Sequence, residues 1–278
     1  MEGPTLRTNI ASARVLAVNG RGPVERADRV AAEEPMEIRV GGPLQEPGPV
    51  AVTMRTPGGD FELAVGFLFT EGLVSGRDEI VRVAYCELPD EEQHFNVVTV
   101  RLSGEFDHES VRRNFYSTSS CGICGKASLD DVAVRCLPVG PGPIVEKDVL
   151  ASFPATLGAA QRVFEETGGL HAAGLFEADG RLAFVREDVG RHNAVDKVIG
   201  EALLAGKLPL SEQILLVSGR VSFEIVQKAA VAGVPIVAAV SAPSSLALEA
   251  AERFGMTVAG FVRDDRFNIY SHPERVAF

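Results

Sequence analysis

The chain reads as an α/β protein, with a small N-terminal α/β unit ahead of a larger layered domain. Two observations lead there. From about residue 182 onward, apolar strand, short polar turn and helix follow one another three times, the pattern of a sheet covered on both faces. Ahead of it, short alternating strands surround one helix, with turn residues between them. A chain of 278 residues, 46% hydrophobic, can bury one large or two modest cores. The expected divisions are an extension at 1–28, the small unit at 29–110, an irregular stretch with a linker at 111–150, and the layered domain at 151–278.

Up to about residue 30, only Ala13 to Val18 has strand character, and Gly20 to Pro23 then turns. Met36 to Val40 alternates and ends at Gly41-Gly42-Pro43; Val50 to Met54 is the next strand. After the turn Thr56-Pro57-Gly58-Gly59, Asp60 is placed to cap a helix over 61–71, with Leu63, Ala64, Phe67 and Leu68 at helical spacing and Gly72 closing it. Strands are expected over 80–88 and 95–102, joined by the acidic loop Pro89-Asp90-Glu91-Glu92. Pro138 to Pro143 reads as a linker. Ser152 is placed to cap a helix running to about Thr167 and ending at Gly168-Gly169. A hairpin pairs 170–176 with 181–186 across Ala178-Asp179-Gly180. Strands at 182–185, 214–217 and 234–240 lead into helices over 193–204, 223–232 and 246–254, and 257–262 is the last clear strand.

Lys and Arg number 27 against 38 Asp and Glu, a net charge of −11, which argues against broad nucleic-acid or membrane-surface binding. It leaves room for a local basic pocket and a phosphorylated ligand. No apolar run reaches the roughly 18 residues of a membrane span. The first twenty residues lack a cationic start followed by an apolar block, so a cytoplasmic chain is the expectation. Thiols stay reduced there, and paired cysteines then point to metal or redox chemistry.

The pair in question is in Ser119-Ser120-Cys121-Gly122-Ile123-Cys124-Gly125-Lys126. Gly122 and Gly125 free the backbone and leave the sulfurs uncovered. Lys126 stands where it can lower a thiol pKa, and the thiolate is the nucleophile. Cys86 and Cys136 sit in apolar, strand-like surroundings and read as packing residues. A structural zinc needs four ligands, and with no second C-x-x-C, Cys86, Cys136 and His108 would have to complete the set. No resident metal is expected.

Polar residues gather in three strand-to-helix turns: Gly190-Arg191-His192, Ser218-Gly219-Arg220 and Ser241 to Ser245. If their strands are parallel, the turns share one sheet edge, where open α/β sheets bind ligands. Helix N-termini and Arg191 and Arg220 suit phosphate there. The segment Phe261-Val262-Arg263-Asp264-Asp265-Arg266-Phe267-Asn268 adds two arginines, and Asn268 or an Asp could read a purine edge. Asp188 and Asp196 read as structural. No Walker A pattern, dinucleotide fingerprint or G-x-S-x-G elbow is present.

These segments, in this order, resemble the FdhD family: Glu33 to Ile38, Met54 to Gly58, Glu62 to Leu73, Ser119 to Lys126, Asp188 to Lys197, Ser218 to Arg220, and Phe261 to Tyr270. The resemblance implies a sulfur carrier for formate dehydrogenase maturation. Such a carrier takes persulfide sulfur from a cysteine desulfurase and passes it to the bis-molybdopterin guanine dinucleotide form of molybdenum cofactor. The persulfide residue maps to Cys121, with Cys124 as its partner, and the cofactor-binding segment to Phe261–Arg266. A homodimer is usual in such families. The fold implied is cytidine-deaminase-like, but zinc deaminases need His-x-Glu and then Pro-Cys-x-x-Cys. Here Ser120 precedes Cys121, and neither His94 nor His192 is followed by x-Glu. The shape would carry no deaminase site.

Overall fold

The structure is a computed structural model that describes residues 8–86, 95–109 and 138–278. The chain begins with a hairpin, β1 (Ile10–Asn19) and β2 (Gly22–Ala31), paired antiparallel along its whole length. This differs from the expectation of one short strand. β2 carries Glu25, Arg26, Asp28 and Arg29 and is exposed along most of its length, so no buried face imprints an alternation on it.

The small unit is a four-stranded sheet in the order β4-β3-β6-β5, built from β3 (Glu34–Gly41), β4 (Gly48–Arg55), β5 (Ile80–Tyr85) and β6 (Val97–Leu102). Met36, Ile38, Val40, Val98 and Val100 share one core with Leu63, Ala64 and Leu68 of α1 (Asp60–Thr70). The cap of α1 is Gly59, whose φ of 67° is left-handed, and not Asp60. Asp60 is instead committed inside the first turn. The buried Arg55 guanidinium grips it through Nε–Oδ1 at 3.0 Å and Nη2–Oδ2 at 2.7 Å, and Tyr85 Oη donates to Oδ2 at 3.2 Å.

The expected helix from Ser152 proves to be two, α2 (Lys147–Ala160) and α3 (Arg162–Thr167), parted at Gln161. Ser152 caps nothing: it lies in the second turn of α2 and donates to Val149 O at 2.7 Å. Residues 138–143 are strapped down rather than loose. Arg275 donates to Pro141 O and Gly140 O, and Val139 N to Phe254 O. The two-residue strands β7 (Val145–Glu146) and β14 (Val276–Ala277) pair beside them.

The central sheet has six strands in the order β13-β12-β11-β10-β8-β9. They are β8 (His171–Glu177), β9 (Leu182–Asp188), β10 (Gln213–Val217), β11 (Ile236–Ala239), β12 (Thr257–Arg263) and β13 (Arg266–Ser271). Side chains alternate between two cores. Leu215, Val217, Val237 and Ala239 point to one, with α4 (Arg191–Leu204), α5 (Phe223–Val231) and α6 (Ser245–Phe254). Ile214, Leu216, Ile236 and Ala238 point to the other, with Leu150, Phe153 and Leu157 of α2. Strands buried on both faces read as continuous apolar runs, as these do. β10, β11 and β12 are mutually parallel; β9 is antiparallel to β8, which is antiparallel to β10. β9, β10, β11 and β12 therefore end at the same sheet edge, where β8 begins.

The two units meet where α1 crosses α4. At Gly66 a Cβ would land on the Asp196 carbonyl, and at Gly200 on the Glu62 carbonyl, so only glycine lets the helices approach this closely. Gly66→Ala and Gly200→Ala are each expected to cost about 3 kcal/mol or to prevent folding, since backbone cannot yield as a side chain does. Gly76→Ala, with nothing within 4 Å, is the control and should stay within about 0.5 kcal/mol of the parent in urea unfolding.

Candidate functional site

The edge is built outward from Asp188, the buried last residue of β9. Its Oδ1 accepts from Gly190 N at 2.8 Å and Asn193 Nδ2 at 3.0 Å, while Oδ2 accepts from Thr56 N at 3.1 Å and faces Lys197 Nζ at 2.7 Å. Burial pulls the Lys197 amine down, and Asp188 opposes that. Lys197 Nζ also donates to Thr56 O, and Asn193 Nδ2 to Met54 O, both at 2.8 Å. The segment 188–197 is thus closed on itself and tied to the 54–58 turn. Asp188 is structural, as expected, and the lock fixes where Arg191 and His192 begin α4.

Both of those side chains are partly buried. Arg191 Nε is sealed from solvent and has no hydrogen-bond partner among the described residues. His192 Nε2 shares a 3.0 Å hydrogen bond with Ser222 Oγ, with Glu224 Oε2 at 3.8 Å. Burial, with Arg191 adding to it, pushes the His192 imidazole down to about 4, so it is neutral at pH 7. Behind it lies a buried ion cluster. Lys228 Nζ meets Asp196 at 2.8 Å and Glu71 at 3.2 Å and donates to Thr70 Oγ1, which in turn donates to Asp196 at 2.7 Å.

In the next turn, Ser218 is engaged with the sheet: Ala172 N donates to its Oγ at 2.9 Å, and Ser218 N donates to Ala172 O. Gly219 is buried and Arg220 exposed. Val221 N donates to Ala242 O, and Ser244 N to Val221 O, joining the second and third turns. Ser244 caps α6, accepting from Ala247 N at 3.3 Å.

At β12 a register shift between Gly260 and Arg263 turns Phe261 outward in a left-handed conformation, φ 55°, with 41% of it exposed. Its N–H is held by Ser241 O at 3.1 Å. Val262 is buried, whereas Arg263, Asp264, Asp265, Arg266 and Asn268 are exposed, the middle pair forming the turn to β13. A strained apolar residue on the rim is the kind of feature that gathers at functional sites. Beside it opens a cavity of about 380 Å³, lined by Val240, Val262, Arg263 and Asp264 and by Ser152 and Pro154 of α2.

The structure thus brings Gly190–His192, Ser218–Arg220, Ser241–Ser245 and Phe261–Arg266 to one edge, spanning four strand spacings from β9 to β12, about 19 Å. Cys121 and Cys124 lie outside the described residues. Among those described, no group of three or more His, Cys, Asp or Glu is placed to hold a metal ion, and no helix is long and apolar enough to cross a membrane. Cys86 is partly buried. Sequence reasoning missed the α2 wall of the cavity and His171, which opens β8 at this same edge. Nothing in the local sequence marks His171, because only the antiparallel sense of β8 carries it there.

The FdhD/NarQ family profile matches residues 31–277. The chain is 50% identical over 269 residues to a protein of Mycolicibacterium paratuberculosis named sulfur carrier protein FdhD, covering 95% of this chain and 97% of that one. It is 49% identical over 271 residues to a protein of the same name from Streptomyces avermitilis, covering 95% and 94%. A crystal structure of a protein described as a formate dehydrogenase accessory protein, from Desulfotalea psychrophila, superposes with a TM-score of 0.75 at 25% identity, covering 97% of this chain and all of that one.

Two outcomes follow from the site's electrostatics. The His192 ring should titrate near pH 4 by NMR. Because its folded value lies below the unfolded 6.5, the unfolded chain binds the proton first. The stability is complete above pH 6.5 and is lost as pH falls towards 4. His192→Gln should remove about 1–2 kcal/mol of that acid sensitivity, after discount for solvent at the partly exposed ring. Lys228→Met leaves Asp196 buried without its cation and should cost about 3–5 kcal/mol in urea unfolding.

Proposed function

Since the chain belongs to the FdhD/NarQ family over residues 31–277, we propose that it is a sulfur carrier required for formate dehydrogenase activity. Cys121 accepts a sulfane sulfur from a cysteine desulfurase, with Cys124 as its partner, and the sulfur then passes to Mo-bis(molybdopterin guanine dinucleotide) before the cofactor enters the dehydrogenase. In the first step the Cys121 thiolate attacks the terminal sulfur of the desulfurase persulfide, and the desulfurase cysteine leaves as thiolate. The sulfur changes hands without net oxidation. The reaction belongs in the cytoplasm, where the thiols are kept reduced.

The names borne by relatives matched over nearly their full length support sulfur carriage. From the geometry, one observation supports the cofactor as acceptor: the convergence of Arg191, Arg220, Arg263 and Arg266 on a single sheet edge about 19 Å long. A bis-dinucleotide is long and polyanionic and has purine ends. Arginine pairs with its phosphates, and the exposed Phe261 and the neighbouring 380 Å³ cavity offer an apolar face and a recess for a base. The 151–278 part has a deaminase-like arrangement in this reading, with the deaminase chemistry absent.

Incubation with a cysteine desulfurase and cysteine should add about 32 Da, one sulfur atom, to the intact chain. Cys121→Ala should lose that adduct, and Cys124→Ala reports the order in which the two thiols act. A wild-type chain that gains no mass while the desulfurase turns over would overturn the proposal.

A further inference from the structure

The β1–β2 ribbon belongs to neither of the larger sheets. Among the described residues β2 pairs only with β1, along its whole length, so its other edge is open. From Val24 to Val30 every residue is exposed except Asp28, which is partly buried. The ribbon is fastened near its base, where Arg29 is ion-paired with Glu166 of α3. A two-stranded ribbon alone is marginal in water, and further strands change that. The open edge has a defined hydrogen-bonding phase. Ala32 N donates to Asn9 O, and bonded pairs alternate along an antiparallel ladder, so the even-numbered residues of β2 bond to β1. Glu25, Ala27 and Arg29 therefore turn N–H and C=O outward. Pro23, which has no N–H to offer, falls in the same outward set.

Along this edge the side chains run Val24-Glu25-Arg26-Ala27-Asp28-Arg29-Val30. Laid antiparallel against itself with Ala27 on the two-fold axis, the strand sets Val24 against Val30, Glu25 against Arg29 and Arg26 against Asp28, each twice. The same register matches outward-bonding residues with outward-bonding residues. A slip of one residue breaks that phase, and an axis at Arg26 or Asp28 puts like charges face to face. Charges on an edge ordinarily keep a second strand away. Here they are ordered to match one strand, their own. Arg26 and Asp28 of one strand are 3.9 Å apart and exposed enough to exchange partners, and the Arg29 guanidinium has donors for a second carboxylate beside Glu166.

We propose that β2 is a docking edge for a second copy of this chain, the two ribbons joining as one four-stranded antiparallel sheet about a two-fold axis at Ala27. The family match begins at residue 31, so the ribbon lies outside it, and the inference is independent of the carrier reading. Facing opposite charges support such a pairing and facing like charges oppose it. Being exposed, the charge pairs weaken as salt is added.

The test is sedimentation of the full chain over a range of concentrations at low ionic strength. The parent should show a monomer–dimer equilibrium that shifts to monomer with salt. Arg26→Asp sets a carboxylate against Asp28 of the other copy, and Asp28→Arg sets a guanidinium against Arg26 of the other copy. Each change acts twice per dimer and should weaken self-association about tenfold or more. An equimolar mixture of these two variants has opposite charges at every such position and should associate like the parent, a rescue that damage to the fold cannot produce. Ala27→Pro removes an outward N–H without touching the bonds to β1, and should abolish the dimer while leaving the melting of the monomer unmoved. A parent that stays monomeric at every concentration overturns the proposal, whatever other strand takes the edge. So does a dimer that ignores these changes, or a mixture that associates no more tightly than either variant alone.

Discussion

Backbone touches backbone where α1 crosses α4, at Gly66 and Gly200, and the position of the candidate site depends on that contact. Helix axes ordinarily stand 8–10 Å apart with side chains between them. A glycine facing a carbonyl on each helix removes that spacer. The crossing presses the four-stranded unit against the six-stranded sheet, and one continuous core runs from Met36 and Val98 through Leu63 to Val198 and Val237. It also fixes how far α4 stands from the 54–58 turn, and hence whether Asn193 and Lys197 reach the Met54 and Thr56 carbonyls.

The charges sealed around the crossing follow from the same constraint. Asp188 with Lys197, Asp196 with Lys228, and Arg55 with Asp60 are all buried or nearly so. Such pairs add little net stability, because desolvation offsets most of the Coulombic gain. Their value here is positional. Each joins segments far apart in sequence or fixes the end of an element, and each fails only as a unit. They form a floor, with Arg220, Arg263 and Arg266 exposed on its rim. A floor ordered in advance lowers the entropy lost on binding.

Legibility in the sequence tracked the physical origin of each feature. The strand–turn–helix alternation could be read because doubly covered strands must be apolar throughout, so the shared edge followed once the strands proved parallel. The ribbon strand β2 could not, since both of its faces are exposed and leave no period. The caps were misread at Asp60 and Ser152 for a common reason: a polar residue ahead of an apolar run looks like a cap whether its oxygen meets the helix N–H groups or a partner elsewhere. Asp60 chose Arg55, and Ser152 chose Val149 O. Arg191, Gly219 and the Phe261–Arg266 segment were legible as polar turns and as matches to a family. His171 was not, because its place depends on the sense of a strand that runs against its neighbours.

Arginines on the rim do not by themselves make the edge a general anion trap. The chain carries a net charge of −11, and beyond a Debye length of about 8 Å in physiological salt the rim's local excess of positive charge is screened. Asp264 and Asp265 stand exposed between Arg263 and Arg266, and Glu224 faces His192. A free phosphate must approach those carboxylates as closely as the arginines and gains little. A guanine nucleotide meets them differently, since its N1–H and exocyclic amino group are donors that a carboxylate accepts while the phosphates reach an arginine. On the proposed reading, the interleaving of opposite charges in Arg263-Asp264-Asp265-Arg266 would suit a ligand that carries both donor and anion at fixed separation. That is a selective arrangement that total charge, or a count of arginines, would not reveal.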